Sequence, residues 1–390
     1  MLKRIAAIVF ILGSASIAWL ILAHSIWSRT NEFNDRLKPN VASIWGTPQE
    51  QRQPVAALDQ GPRAPVPIAA ESSRIDVGLA LEYRQKGLLW YSVYVVNFAG
   101  VYTFRNPSEE ARAITFQINF PSKRAIYDGL AIEADGHPLP FTSNRDGASV
   151  SAMVAPGKTA AFRAVYRSQG LESWRYNPGD DVTQTRDFEL TMKTNFKEID
   201  FPLSTLAPTE KREGAAGWEL IWKYRNLISG FQIGMTMPEK LQPGPLAGDI
   251  SRFAPVSLLL FFFVMFILTT LGNIDLHPMN YFFLAAAFFA FHLLLAYLVD
   301  HISIQLAFLI CSVVSVSLVV SYLRLVAGPR FAILQAGVAQ LIYLVLFSYT
   351  FFLKGFTGLA ITIGCIVTLF VVMQVTGHVR WKERFATVSG

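Results

Sequence analysis

The chain has 390 residues, of which 52% are apolar and only 16% charged, a balance outside that of an ordinary soluble protein. Its net charge of +6 does not make it a nucleic-acid binder, because the basic residues are scattered and many flank apolar runs, where membrane orientation requires them. Both cysteines, Cys311 and Cys365, fall inside apolar runs, so the more polar middle of the chain has neither a disulfide scaffold nor a thiolate metal site and must rely on a packed core.

Residues 5–27 form the first apolar run, behind Lys3 and Arg4. At about 1.5 Å per residue it is long enough to cross a bilayer. It exceeds the core of a usual signal peptide, and no small-x-small cleavage site stands clearly after it, so residues 1–27 are expected to be a retained transmembrane anchor. Residues 28–75 carry little apolar periodicity but six prolines, between residues 39 and 67. This composition predicts an extracytoplasmic tether or irregular cover, with a short helix leading out of the membrane.

The pattern changes from Asp76. Segments 88–97, 113–120, 148–155, 159–166, 188–194, 218–224 and 231–237 are short, β-branched or aromatic, and often alternating. Turn clusters such as Asn106-Pro107-Ser108, Asp135-Gly136, Asp146-Gly147 and Pro156-Gly157 separate them. Strands at this spacing predict an all-β, antiparallel, sandwich-like domain over residues 76–250.

Five further apolar runs follow, at 253–271, 279–299, 302–323, 331–352 and 356–376. Each has the length of one spanning helix, and the short joins between them make neighbours antiparallel. Gly272, Pro278, Gly328, Pro329 and Gly355 punctuate the joins. A bundle of about five transmembrane helices is therefore expected over 251–377, with a tail at 378–390. Alternation from a cytoplasmic Lys3 and Arg4 puts Arg324, Arg330, Arg380, Lys382 and Arg384 on the same side, against Arg252 and Lys354 opposite. That asymmetry predicts six spans, cytoplasmic termini and an extracytoplasmic β domain.

Residues 274–281, Ile-Asp-Leu-His-Pro-Met-Asn-Tyr, precede a run containing His292 that closes on Asp300-His301-Ile302. This arrangement resembles the membrane region of the CreD family of inner-membrane proteins, as does the next hairpin with Tyr322 and Arg324. Two blocks upstream are similar to that family as well. One is Tyr83-Arg84-Gln85-Lys86-Gly87 with Tyr91, Val93 and Tyr94; the other is Ser43-Ile44-Trp45-Gly46 with Gln49 and Pro54, although Gln53 stands where the family pattern carries Gly. The resemblance implies an inner-membrane location and a role in envelope integrity or envelope stress in Gram-negative bacteria, and it brings no catalytic residues.

The residues themselves advertise little chemistry. His137 is the one histidine between residues 28 and 250 and stands in a turn sequence, where an exposed imidazole is ordinary. Asp180-Asp181 could touch calcium but suit a solvated turn. No catalytic, cofactor or metal residue is assigned. The polar candidates are Asp275, His277, His292, Asp300 and His301. Asp275 near the positive end of a helix started by Pro278 fits a capping role, or a dock for a cytoplasmic partner or headgroup. His292 lies inside a span, where one hydrogen bond to Gln335, Gln340 or a serine would satisfy it as helix glue, and where relay or transport is the functional alternative. Cys311 and Ser315 share a helix face and fit a close-approach seam.

The expected protein is non-enzymatic. Its periplasmic β domain binds or senses an envelope component (protein, lipid or glycan) and its helices contact the lipid bilayer, with no cofactor, no nucleic acid and an open oligomeric state. The alternative is a small transporter or lipid-handling protein that uses the polar intramembrane residues.

Overall fold

The computed structural model describes residues 2–87, 89–179 and 183–379. The chain divides into a helical unit, residues 1–35 with 241–390, and a β unit, residues 36–240. Among the described residues, six helices are long and apolar enough to cross a membrane.

In the helical unit, α1 (Leu2–Trp45) contributes its first 34 residues, and α2 (Pro243–Leu271), α3 (Pro278–Leu298) and α4 (Ile304–Ala327) follow. The fifth span is Phe331–Phe352 and the sixth Thr357–Thr376. Proline opens both α2 and α3, where its missing N–H is not needed. Gly328 and Gly355 take positive φ angles of 88° and 79° at the joins on either side of the fifth span. That span winds largely as π-helix, over Phe331–Gly337 and Leu341–Leu346. The loosened turn leaves the Tyr343 carbonyl to accept from the Ser257 hydroxyl of α2. Lipid supplies no hydrophobic drive between helices, so close contact must. Accordingly, small buried residues (Ala285, Ala307, Ser315, Ala332, Ala336) alternate with Phe261, Phe288 and Phe291 in the seams. The sixth span buries Thr368, whose hydroxyl accepts from Tyr343 of the fifth at 3.0 Å.

The β unit stacks its sheets around one core. The larger sheet runs, edge to edge, β14 (Glu210–Glu213), β15 (Trp218–Ser229), β13 (Thr183–Thr194), β4 (Ser72–Lys86), β5 (Leu89–Arg105), β11 (Thr159–Leu171), β7 (Tyr127–Ala134) and β8 (His137–Pro138). Facing it are β3 (Arg63–Ile68), β2 (Val55–Gln60), β6 (Arg112–Asn119), β10 (Gly147–Val154) and β9 (Thr142–Ser143). A third, small sheet joins β1 (Gln49–Arg52), β12 (Ser173–Asn177) and β16 (Ile233–Thr236). Along β11, Ala160, Phe162, Ala164 and Tyr166 point inward while Arg163 and Arg167 point out. Phe116 of β6 stacks on Phe162 across the two large sheets, ring centres 5.2 Å apart.

Two expectations need correction. The sandwich is not purely antiparallel, because β13 pairs with β4, and β1 with β12, in parallel. Nor are residues 28–75 a tether or irregular cover. Pro39 lies within α1, Pro48 precedes β1, Pro54 separates β1 from β2, Pro62 follows Gly61 in the β2–β3 turn, and Pro65 and Pro67 lie on β3. As an edge strand, β3 tolerates prolines because one side needs no donors. The far end of α1 belongs to the β unit: Leu37, Val41 and Trp45, one turn apart, pack on Tyr91, Val93 and Leu171.

Candidate functional site

The two upstream blocks that resemble the CreD pattern meet in the β unit. Gly46 ends α1 with φ of 91°, its N–H donating to Ala42, and a side chain there would run into the Gln169 carbonyl. Gln49 then enters the core and donates to Ser168 Oγ at 2.9 Å and to the Gln169 carbonyl at 3.0 Å. Gly87 turns the β4–β5 hairpin at φ of 61°. The hairpin brings Tyr91 to the Trp45 ring and buries Tyr94, whose hydroxyl donates to Ser173. These residues close the joint between helix and sheet.

In the helical unit the polar candidates are arranged along a seam between α1 and α3. Arg4 meets Asp275 at 3.3 Å, and Arg29 meets Asp300 at 3.0 Å. The partners of each pair are 271 residues apart in sequence. The two helices therefore run parallel, and the arginines of the two ion pairs stand about 37 Å apart along α1, more than the hydrocarbon thickness. Between the pairs, Trp19 packs edge-on against Phe289 and His292, at 5.4 and 5.6 Å. Arg29 also donates to the Ala296 carbonyl at 2.8 Å and lies over the Tyr297 ring.

The structure reassigns several sequence candidates. Asp275 does not cap α3. The N-cap is His277, whose Nδ1 accepts from the Met279 N–H at 3.2 Å with Pro278 at the first helical position, leaving Asp275 free to face Arg4. His292 bonds neither Gln335, which is exposed, nor Gln340. Its Nδ1 pairs with the Phe288 carbonyl of its own helix at 3.0 Å, while Gln340 donates to Ser315, which donates to Ala287. Cys311 and Ser315 are both fully buried in α4. His301 is exposed in the turn after α3, and His137 is exposed on β8. Asp180 and Asp181, like Arg380, Lys382 and Arg384, lie outside the described residues.

Sequence reasoning missed Trp19 and Arg29, and it quoted Tyr281 only as part of the motif. The equal interval from Arg4 to Arg29 and from Asp275 to Asp300 was the available signal. Within the seam and the bundle, Trp19 Nε1, Tyr281 Oη, His292 Nε2 and Gln340 Oε1 are buried without a hydrogen-bond partner. Among the described residues no group of three or more histidines, cysteines or carboxylates is placed to hold a metal ion.

No curated protein sequence matches the chain. Among solved structures it is similar to a candidate nutrient binding protein of Legionella pneumophila, at 11% identity over 55% of this chain and 76% of that one, with a TM-score of 0.34. It is also similar to an M1 zinc metallopeptidase of Deinococcus radiodurans (9% identity, 46% and 43% covered, TM-score 0.29) and to an aminopeptidase N family protein of Idiomarina loihiensis (11%, 48% and 36%, 0.22). The chain spans less than half the length of these two peptidases. Residues 250–382 match the family described as inner membrane protein CreD. They contain α3 and both of its flanking acid-histidine segments, so this membrane region of the chain, residues 250–382, is that of the CreD family of inner-membrane proteins.

Proposed function

We propose that the chain is a non-enzymatic protein of the cell envelope, with its β unit on the periplasmic side, both termini in the cytoplasm, and the β unit binding or sensing an envelope component. The supporting observation is the parallel seam of α1 and α3. It puts the Arg4 and Asp275 ends on one side of the helical unit and the Arg29 and Asp300 ends on the other. Arg324, in the last turn of α4, and Arg330 add positive charge to the first side, which suits the cytoplasmic face. The chain leaves α1 for the β unit from the second.

The test of orientation uses a chain without Cys311 and Cys365 and with one cysteine at Met153, an exposed β10 position. A membrane-impermeant maleimide should label it in intact spheroplasts; labelling only after lysis would overturn the orientation. Binding is tested by photo-crosslinking in cells from exposed edges of the β unit, with the captured species identified by mass spectrometry. Failure of every probe to capture an envelope component would overturn the binding role.

A second reading is a small transporter or lipid-handling protein. The four unpartnered polar atoms of Trp19, Tyr281, His292 and Gln340 favour it, since such groups are costly in a bilayer unless used. Substrate-dependent flux in proteoliposomes that His292→Leu abolishes would support this reading over the first.

A further inference from the structure

The outer face of the larger β sheet holds a cavity of about 420 Å³, within the size range of small-ligand sites. Arg84 of β4, Arg167 of β11 and Arg124 of the β6–β7 loop line it, together with Ile44, Val95 and Ile126. Strand alternation explains the first two arginines. Residues 75, 77 and 79 of β4, and 162, 164 and 166 of β11, fill the core, so the arginines fall on the opposite face. The apolar members are unusually bare, with Ile126 82% and Ile44 57% exposed.

The walls are pinned rather than loose. Ser122 exchanges hydrogen bonds with the Tyr127 hydroxyl through both its backbone groups, at 2.8 and 2.7 Å, and its own hydroxyl meets that of Thr47 at 2.7 Å. Ser168 donates to the Ile126 carbonyl, and Gln169 donates to the Trp45 carbonyl. These bonds hold the loop bearing Arg124 and Ile126 against the end of α1. Arg84 is paired with Glu82, and Asp128 also faces the cavity. Among the described residues Arg124 and Arg167 have no ion-pair partner, so the cavity keeps a positive surplus beside bare hydrocarbon.

We infer that this cavity binds an anionic amphiphile, with a phosphate-bearing lipid head against Arg84, Arg124 and Arg167 and its hydrocarbon against Ile44, Val95 and Ile126. Guanidinium groups match phosphate oxygens in planar, two-point hydrogen bonds. The adjoining isoleucines distinguish an amphiphile from a simple oxyanion, which would leave them in water. This assignment rests on the reading of the β unit as a binding domain and names its ligand class.

The test places a photoreactive benzoylphenylalanine at Ile126 in the full chain, in non-ionic detergent supplemented with phosphatidylglycerol or with phosphatidylcholine. Mass spectrometry of the peptide containing residue 126 reads the adduct. The site predicts a phosphatidylglycerol adduct well above that of phosphatidylcholine, reduced at least about tenfold by Arg124→Gln with Arg167→Gln, since both guanidiniums would hold the phosphate. Both arginines are exposed, so the double variant should fold, and an unchanged circular dichroism melt confirms it. Equal adducts with the two lipids, or an adduct unchanged in the double variant, would overturn the site. Competition by inorganic phosphate at millimolar concentration would identify an oxyanion site and overturn the amphiphile. Capture in cells from other β-unit probes but not from residue 126 would retain the binding domain and overturn this cavity; capture from none would overturn both.

Discussion

Disrupting the contact between Arg29 and Asp300 tests whether α1 and α3 are energetically joined. The guanidinium meets the carboxylate at 3.0 Å, donates to the Ala296 carbonyl at 2.8 Å, and lies 5.7 Å from the centre of the Tyr297 ring. With side chains 41% and 21% exposed, the charge pair is worth about 1 kcal/mol rather than the several of a buried one. The bond from a charged donor to the carbonyl adds about 1.5 kcal/mol, and the ring contact about 0.5 kcal/mol. Arg29→Ala should therefore cost about 3 kcal/mol, Asp300→Asn about 1 kcal/mol, and the double variant no more than Arg29→Ala alone. The expected coupling of about 1 kcal/mol is about a fivefold factor in the docking equilibrium. Fluorotryptophan at position 19 supplies the assay, because that ring touches Phe289 and His292 only while the helices are docked. Its fluorine resonance, followed as sodium dodecyl sulfate is titrated into mixed micelles, reports the undocking midpoint of each variant. Additive losses in the two single variants would refute the energetic pairing of these side chains.

Three further outcomes are expected. Gly46→Ala should destabilise the β unit by at least about 2 kcal/mol, since it combines a left-handed backbone with a collision against the Gln169 carbonyl, and a circular dichroism melt would register the loss. His292→Leu should leave the Trp19 docking midpoint unchanged or raised, because leucine keeps an apolar contact at that place and removes a buried nitrogen that has no partner; a docking free energy lowered by more than about 1 kcal/mol would refute that account. At alkaline pH the β unit should lose stability. Burial pushes Tyr127 up to about 12 and raises Tyr94, Tyr102, Tyr166 and Tyr176 as well. Their neutral forms are thus favoured on folding, so this contribution is intact below pH 10 and is lost as the pH climbs through the folded values. Tyrosinate absorbance should show these five ionising together with unfolding, whereas five ordinary titrations near 10 would contradict their burial.

The spans were readable because hydrocarbon demands long apolar runs, and strands such as β5, β6, β10 and β11 because Asn, Asp, Gly and Pro turns bracketed alternating residues, whereas β4 in the middle of the larger sheet went unread. A short helix leading out of the membrane was expected after residue 27, but its length, to Trp45, was not. Its composition is polar, and its burial stripe is only Leu37, Val41 and Trp45, which matters once Tyr91, Val93 and Leu171 are beside it. Strand β7, Tyr-Asp-Gly-Leu-Ala-Ile-Glu-Ala, was hidden by small and acidic residues that suit the β11 ladder without announcing a strand. Among the candidate residues, Asp275, His292 and Asp300 were visible as polar groups beside or within apolar runs, but their partners were not. Arg29 meets Asp300 across 271 residues, and His292 turned to its own helix instead of a neighbour. The arginines of the outer cavity come from a strand, a loop and another strand, so only sheet register brings them together.

The parallel seam also sets an order of assembly. At about 5–20 residues per second on the ribosome, the first helix waits roughly 15–50 s before the carboxylates that meet its arginines are synthesised. During that interval it must survive alone in lipid, a state suited to a helix whose apolar window is only 11% buried in the finished fold. Its seam arginines, Arg4 and Arg29, one near each interface, would meanwhile reach toward headgroups. Docking of the third helix is then a late step of biogenesis, and a lesion at either arginine would be felt in maturation of the newly inserted chain before it was felt in the mature protein.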